Sequence, residues 1–315
     1  MQLSRLQSPS PPRLIAALVT PFTAGGDLDQ PSLHRLVAHL RSAGIDEFFA
    51  VASTGEAPLL DERDRLAIIE TVRTAAPGGI VYAGISGLGH RHAIRNAGDA
   101  ARAGADVAVL MTPFFVALDQ EQLVAYARAV ADASPVPLAL YHHLRMPTPI
   151  AVPTVATLAE HPNIIALKDT SGGDHNRCAE VLAATAGRKF LFFQGVEKLV
   201  LPTLAAGGHG CVVAQACIAP QLFRALFTAW RSGQQARAEE LQLQINALWE
   251  IFGRPGVRQS FAHFLHTLKL PLQQRGVIAT TAGAVPGVRF SAEFEQMIMD
   301  FMHEHLQSAA AVRAV

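Results

Sequence analysis

The residues with the most chemistry to offer sit where short apolar runs end. Lys168 closes the run Ile164-Ile165-Ala166-Leu167 and is followed by Asp169 and Thr170. Of the 26 basic residues only Lys168, Lys189, Lys198 and Lys269 are lysines. Lys189 precedes an apolar run, Lys198 falls in a helical stretch and Lys269 ends one, so all three suit solvent. Lys168 instead shares the parity of Ile164 and Ala166, and the period of two of a β-strand aims all three the same way, into a core. Burying a lone ammonium costs on the order of several kcal/mol, so the cheaper state is the neutral amine. A neutral buried amine is what attack on a ketone requires. The bland alternative is a strand-end lysine that snorkels or pairs with Asp169. Strict alternation sends Asp169 to the opposite face, which weakens the ion-pair version.

Other run ends carry hydroxyls, a phenol, imidazoles and a carboxylate. Ser53-Thr54-Gly55-Glu56 closes a second run just before a helical segment, where small hydroxyls and backbone N–H groups suit a carboxylate or keto oxygen. A plain turn with a hydroxyl cap reads equally from those letters. Tyr141 ends another run, and its phenol can donate and accept the protons of imine formation; a packed tyrosine bonded to backbone is the alternative. Thr20, Thr170, the pair His142-His143, and Glu197 stand at comparable positions.

Eight apolar runs position these groups. They start at Leu14, Phe48, Ile80, Val107, Pro137, Ile164, Phe190 and Gly210. Each reads as a strand buried on both faces, and Ala/Arg/Leu segments of helical spacing separate them. Pro31-Ser32, Asp61-Glu62, Asp119-Gln120 and Pro153-Thr154 mark helix starts, and Gly44, Gly104 and Gly187 mark stops. Strand–helix units repeating about every 25–30 residues predict an α/β fold, a (β/α)8 TIM barrel, over 13–232. Residues 1–12 read as a flexible Ser/Pro-rich leader. Residues 233–315 read as a small C-terminal helical extension, with helices at 234–252, 257–268 and 291–306 and a frayed end at 308–315. In such barrels the active site lies at the carboxyl ends of the strands, where the candidates above fall.

Composition excludes several classes. Half the residues are hydrophobic, and 26 basic residues balance 26 acidic ones without a like-charge block. That argues against nucleic-acid or anionic-membrane partners. No apolar stretch is long enough to span a bilayer. Cys178, Cys211 and Cys217 read as buried thiols of a reducing compartment, consistent with the cytoplasm.

Together these motifs resemble the dihydrodipicolinate synthase / N-acetylneuraminate lyase family of Schiff-base-forming class I aldolases and dehydratases. The resemblance runs in order through ALVTPF (17–22), STGE (53–56), TPFF (112–115), Tyr141, IIALKDTSG (164–172) and AGGHG (206–210). It implies that Lys168 is the Schiff-base lysine and Tyr141 the proton shuttle. Ser53 and Thr54, with the amides through Gly55, would hold the carboxylate of pyruvate or another 2-oxo acid. It also implies a homotetramer built as a dimer of dimers, with no cofactor and no metal required. The departures from the family pattern bear on the substrate. Phe115 stands where dihydrodipicolinate-forming members have a relay tyrosine. Met146 stands where they have an arginine, with Arg145 one place early, and His142-His143 replaces an Asn-containing segment. These favour a sugar-acid dehydratase or 2-keto-3-deoxy acid aldolase over 4-hydroxy-tetrahydrodipicolinate synthase proper, with His142, His143 and Glu197 as readers of distal hydroxyls.

Two rival classes remain. The His90-Arg91-His92 spacing and the His142-His143 pair admit a metal-dependent hydrolase or class II aldolase. The loss of the relay tyrosine at Phe115 admits a catalytically silent barrel acting as a ligand sensor. Retention of Lys168 and Tyr141 argues against the second.

Overall fold

The eight runs become eight strands in the computed structural model, which describes residues 3–8, 10–172 and 175–310. They are β1 (Arg13–Ala17), β2 (Glu47–Ala50), β3 (Ile80–Gly84), β4 (Val107–Met111), β5 (Leu138–His143), β6 (Ile164–Thr170), β7 (Leu191–Gln194) and β8 (Gly210–Val213). They close a parallel barrel in sequence order, the (β/α)8 arrangement that the sequence predicts. Nearly every strand residue is buried, because the inner faces fill the barrel and the outer faces meet the helices.

Helix boundaries follow local chemistry. Asp29 caps the helix Gln30–Ser42 by accepting from the Ser32 N–H, and Asp61 caps Glu62–Ala75 by accepting from the Asp64 N–H. Asp119 and Gln122 form a reciprocal capping box at Gln120–Ala133. Gly44, Gly104 and Gly187 adopt φ of 80°, 97° and 77°, the left-handed values that end helices.

Two compact units partition the chain. The first joins the residues up to Ile15 with Ile80–Val213 and carries β3 to β8. Its strand pairs fix which side chains share a face: Met111 opposes Tyr141, Tyr141 opposes Lys168, and Lys168 opposes Phe193. The second joins Ala16–Gly79 with the chain from Ala214 onward and carries β2 and the C-terminal helices. Those helices span Gln235–Trp249, Phe261–Gln274 and Ala292–Ala310. The middle one runs past the predicted end at Leu268 and through Pro271. Pro271 lies in the last turn, where only the bond to Thr267 is forfeited, and Leu268, Leu270 and Leu272 are buried around it.

Within the stretch read as a leader, Leu3–Leu6 forms a helical turn and Leu6 is buried. Of the end read as frayed, 311–315 lies outside the described residues. Among the described residues no helix is long and apolar enough to cross a membrane.

Candidate active site

Strand alternation sorts the carboxyl ends of β5 and β6 into two chemically distinct faces. On one face stand Tyr141 and His143 of β5, opposed in register by Lys168 and Thr170 of β6. Lys168 is 5% exposed, and its Nζ lies 4.1 Å from the centroid of the Tyr141 ring. The Tyr141 and His143 rings meet edge to face at 5.8 Å. Thr170 Oγ1 is buried and has no hydrogen-bond partner among the described residues. Gly195, just after β7, leaves room for this group: a Cβ there would stand 3.2 Å from Lys168 Cε, 2.9 Å from the Asp169 carbonyl and closer still to Thr170 Oγ1.

His142 and Asp169 occupy the opposite face, toward the helix His175–Ala184. Arg177 of that helix donates from Nε to Asp169 Oδ2 at 2.6 Å and from Nη2 to the Ile150 carbonyl at 2.7 Å. The Ser171 N–H donates to Asp169 Oδ1 at 2.9 Å, and His142 Nδ1 lies 3.4 Å from Oδ2. Burial alone would raise the Asp169 carboxyl, but His142, Ser171 and Arg177 together hold it down at about 2. Asp169 therefore stays an anion facing away from the barrel interior, as alternation predicts. The same alternation corrects the reading of His142 as a substrate group. His142 lies behind the strand with Asp169, and His143 takes the inward position beside Tyr141.

Glu197 opens the short 3-10 turn Glu197–Leu199 after β7 and is 3% exposed. The Cys211 thiol of β8 is pushed well above its ordinary value, by burial first and then by the Glu197 charge, against an opposing contribution from Lys168. All three cysteines are free and buried, as the sequence suggests.

The second unit holds the remaining candidates. After β2 the chain turns through Val51–Glu56, with the Gly55 N–H donating to the Ala52 carbonyl and the Glu56 N–H to the Ser53 carbonyl, both at 2.9 Å. Those two amides are consumed by the turn, which does not use the Thr54 N–H. Thr54 is buried and Ser53 half-buried. Thr20 Oγ1 donates to the Gly55 carbonyl at 2.7 Å, and a Cβ on Gly55 would press on Thr20 and the Leu18 carbonyl at 3.1 Å. Val51 and Glu56 bracket the turn at φ of 53° and 63°. A β-branched residue in the left-handed region is strained by about 1–3 kcal/mol, and such strain concentrates at functional turns.

Glu56 and Lys269 form a buried pair that the sequence reading does not contain. Lys269 is wholly buried, not solvent-facing, because its helix continues to Gln274 and turns that position inward. Its Nζ donates to Glu56 Oε1 and to the Ala282 carbonyl, each at 2.7 Å, and lies 4.9 Å from the Phe22 ring centroid. The Ala284 N–H donates to Glu56 Oε2 at 2.8 Å. Burial pulls the Lys269 ammonium below its ordinary value, and Glu56 works against that pull. The apolar neighbours of Lys269 (Leu265, Leu268, Leu270, Leu272) were the available signal. Among the described residues, no group of three or more His, Cys, Asp or Glu side chains is placed to hold a metal ion.

A family model described as the dihydrodipicolinate synthetase family matches residues 10–304. The chain is similar to 4-hydroxy-tetrahydrodipicolinate synthase 1 of Streptomyces coelicolor, at 35% identity over 82% of this chain and 85% of that protein. The 4-hydroxy-tetrahydrodipicolinate synthase of Natronomonas pharaonis is also 35% identical, over 74% of this chain and 79% of its own. Among solved structures, YagE of E. coli K12, a prophage protein of the dihydrodipicolinic acid synthase family solved in complex with pyruvate, superposes with a TM-score of 0.87. It is 26% identical, and the match covers 94% of this chain and 99% of that one. The chloride-inhibited dihydrodipicolinate synthase of Acinetobacter baumannii, complexed with pyruvate, gives 0.84 at 26% identity, covering 93% and 98%.

Proposed function

The chain belongs to the dihydrodipicolinate synthetase family, and we propose that it is a class I lyase that holds a 2-oxo acid as an imine on Lys168. The observation that carries the reading is the placement of that amine. It is buried, lies over the Tyr141 ring, and stands on the strand face opposite the one where Asp169 is bound by Arg177.

The chemistry follows from the groups in place. The Lys168 amine adds to the keto carbon to give a carbinolamine. Tyr141 passes a proton to the departing hydroxyl, water leaves, and a cationic imine remains. The imine draws electrons from the neighbouring C–C or C–H bond. An aldol bond can then break to release an aldehyde, or a proton can be lost to give an enamine, which adds to an aldehyde or expels a hydroxyl as water. Ser53 and Thr54 bind the substrate carboxylate, on a turn that Thr20 and Gly55 hold in shape; the strained backbone at Val51 and Glu56 supports a functional turn there. Thr170 and Glu197 complete the set of polar groups offered to substrate.

The substrate is a 2-keto-3-deoxy acid. Phe115, 89% exposed, cannot relay a proton as the tyrosine of dihydrodipicolinate-forming members does. The second reading, 4-hydroxy-tetrahydrodipicolinate synthase proper, is favoured by the names of the relatives. The protein assembles as a homotetramer, a dimer of dimers. Leu88, Phe115, Val116 and Leu144, exposed on loops after β3, β4 and β5, support an apolar subunit contact.

Borohydride reduction in the presence of pyruvate tests the reading. Wild-type protein gains the mass of a reduced pyruvyl adduct on Lys168, and Lys168→Ala gains none. An unmodified wild-type chain, or an adduct that survives Lys168→Ala, would overturn it.

A further inference from the structure

The residue beside Tyr141 on the inner face is a histidine whose hydrogen-bonding state is fixed by the backbone. His143 Nδ1 accepts the backbone N–H of Arg145 at 3.0 Å. An Nδ1 that accepts cannot carry the proton, so the neutral ring is the Nε2–H tautomer. Among the described residues no hydrogen bond uses that Nε2–H, and the side chain is only half-buried. Burial first, and then the charges of Lys168, Arg145 and His142, hold the ring down at about 4. At neutral pH His143 is thus an uncharged donor with no acceptor to offer.

Its position defines what it can donate to. His143 lies two residues nearer the strand end than Tyr141 and opposes Thr170, which lies two residues beyond Lys168. Two strand residues advance about 7 Å. An oxygen reached there is several bonds beyond the keto carbon held at Lys168. An imidazolium at this place would repel the cationic imine, whereas a neutral N–H recognises a hydroxyl or aldehyde oxygen without that penalty.

We propose that His143 is the specificity determinant of this site, a neutral Nε2–H donor to an oxygen on the distal carbons of a 2-keto-3-deoxy acid. The proposal rests on the Lys168 imine reading and names what the rest of the substrate must carry. Donation to a substrate oxygen selects hydroxylated chains over apolar chains of the same length, because the analogue without the oxygen leaves the N–H unpaired.

The test compares half-saturating concentrations for borohydride trapping with pyruvate, a 2-keto-3-deoxy hexonate and 2-oxohexanoate, which has the same carbon chain without the hydroxyls. Wild type is expected to favour the hydroxylated acid over 2-oxohexanoate. His143→Leu weakens trapping of the hydroxylated acid by about 10–100-fold, and leaves pyruvate and 2-oxohexanoate within about 2-fold. His143→Asn, which keeps an N–H donor, recovers part of the loss. Equal losses for all three acids in His143→Leu, or no preference in wild type, would overturn the proposal while leaving the imine intact. A wild type that traps none of them would overturn the imine reading and this inference with it.

Discussion

Replacing Lys269 by methionine tests the least expected feature of the structure, a buried ion pair beside the Ser53–Gly55 turn. Methionine keeps most of the stem volume and deletes the amine. The Glu56 carboxylate, itself 2% exposed, would keep only the Ala284 N–H among its described donors, and the Ala282 carbonyl would lose the amine. Breaking one side of a buried pair costs about 3–5 kcal/mol, because the remaining charge is uncompensated. That is a large share of the roughly 5–15 kcal/mol that holds an ordinary domain together. Equilibrium urea unfolding at neutral pH reads the loss as a shift in midpoint at constant slope. The double variant Glu56→Leu/Lys269→Met, which removes both charges, should be more stable than Lys269→Met alone. Glu56 follows Gly55 directly, so Lys269→Met should also raise the concentration of pyruvate needed for trapping. A loss below about 1 kcal/mol, or single costs that simply add in the double variant, would refute the reasoning.

Acid unfolding isolates Asp169. Its carboxyl is held at about 2, below the ordinary carboxylate value, so its stabilisation is complete above about pH 4 and is lost as the pH falls through 2. A depression of nearly 2 pH units corresponds to about 2–3 kcal/mol. Wild type should therefore lose more stability than Asp169→Asn between about pH 5 and about pH 2; parallel curves would show that the contacts with Arg177, Ser171 and His142 contribute nothing. For the assembly, light scattering at micromolar concentration should give the mass of a tetramer, and Phe115→Asp should lower it. A wild-type monomer would remove the proposed subunit contact.

The barrel was legible because its signal is local and repeated. Each apolar run is bounded by its own turn and capping residues, and Asp61 and Asp119 cap the helices that their letters announce. The face of Lys168 was legible for the same reason, since alternation within β6 requires no knowledge of its neighbours. Reading His142 as a substrate group leaves out the alternation within β5, which puts His142 on the face opposite Tyr141, with Asp169. Counting by two from Tyr141 reaches His143 and would have found the inward residue. Lys269 was misread through a helix end: stopping the helix before Pro271 left the lysine on a terminus, whereas the continued turn directs it inward among leucines. The left-handed Val51 had no signal at all, because a β-branched residue argues against that backbone conformation.

A carboxylate next in sequence to the proposed nucleophile poses a problem that the strand geometry resolves. Were Asp169 to share a face with Lys168, the two charges would pair and the amine would be lost to chemistry. Alternation separates them, and Arg177, reaching in from the following helix, holds the carboxylate on the far side. Asp169 also serves the inner face indirectly, because its backbone carbonyl accepts the Gly195 N–H at 2.7 Å. That bond seats Gly195 against Lys168 Cε and Thr170, where no larger residue fits. The outer ion cluster and the inner amine are therefore two sides of one strand, and a change to Arg177 or Gly195 would be felt at the amine.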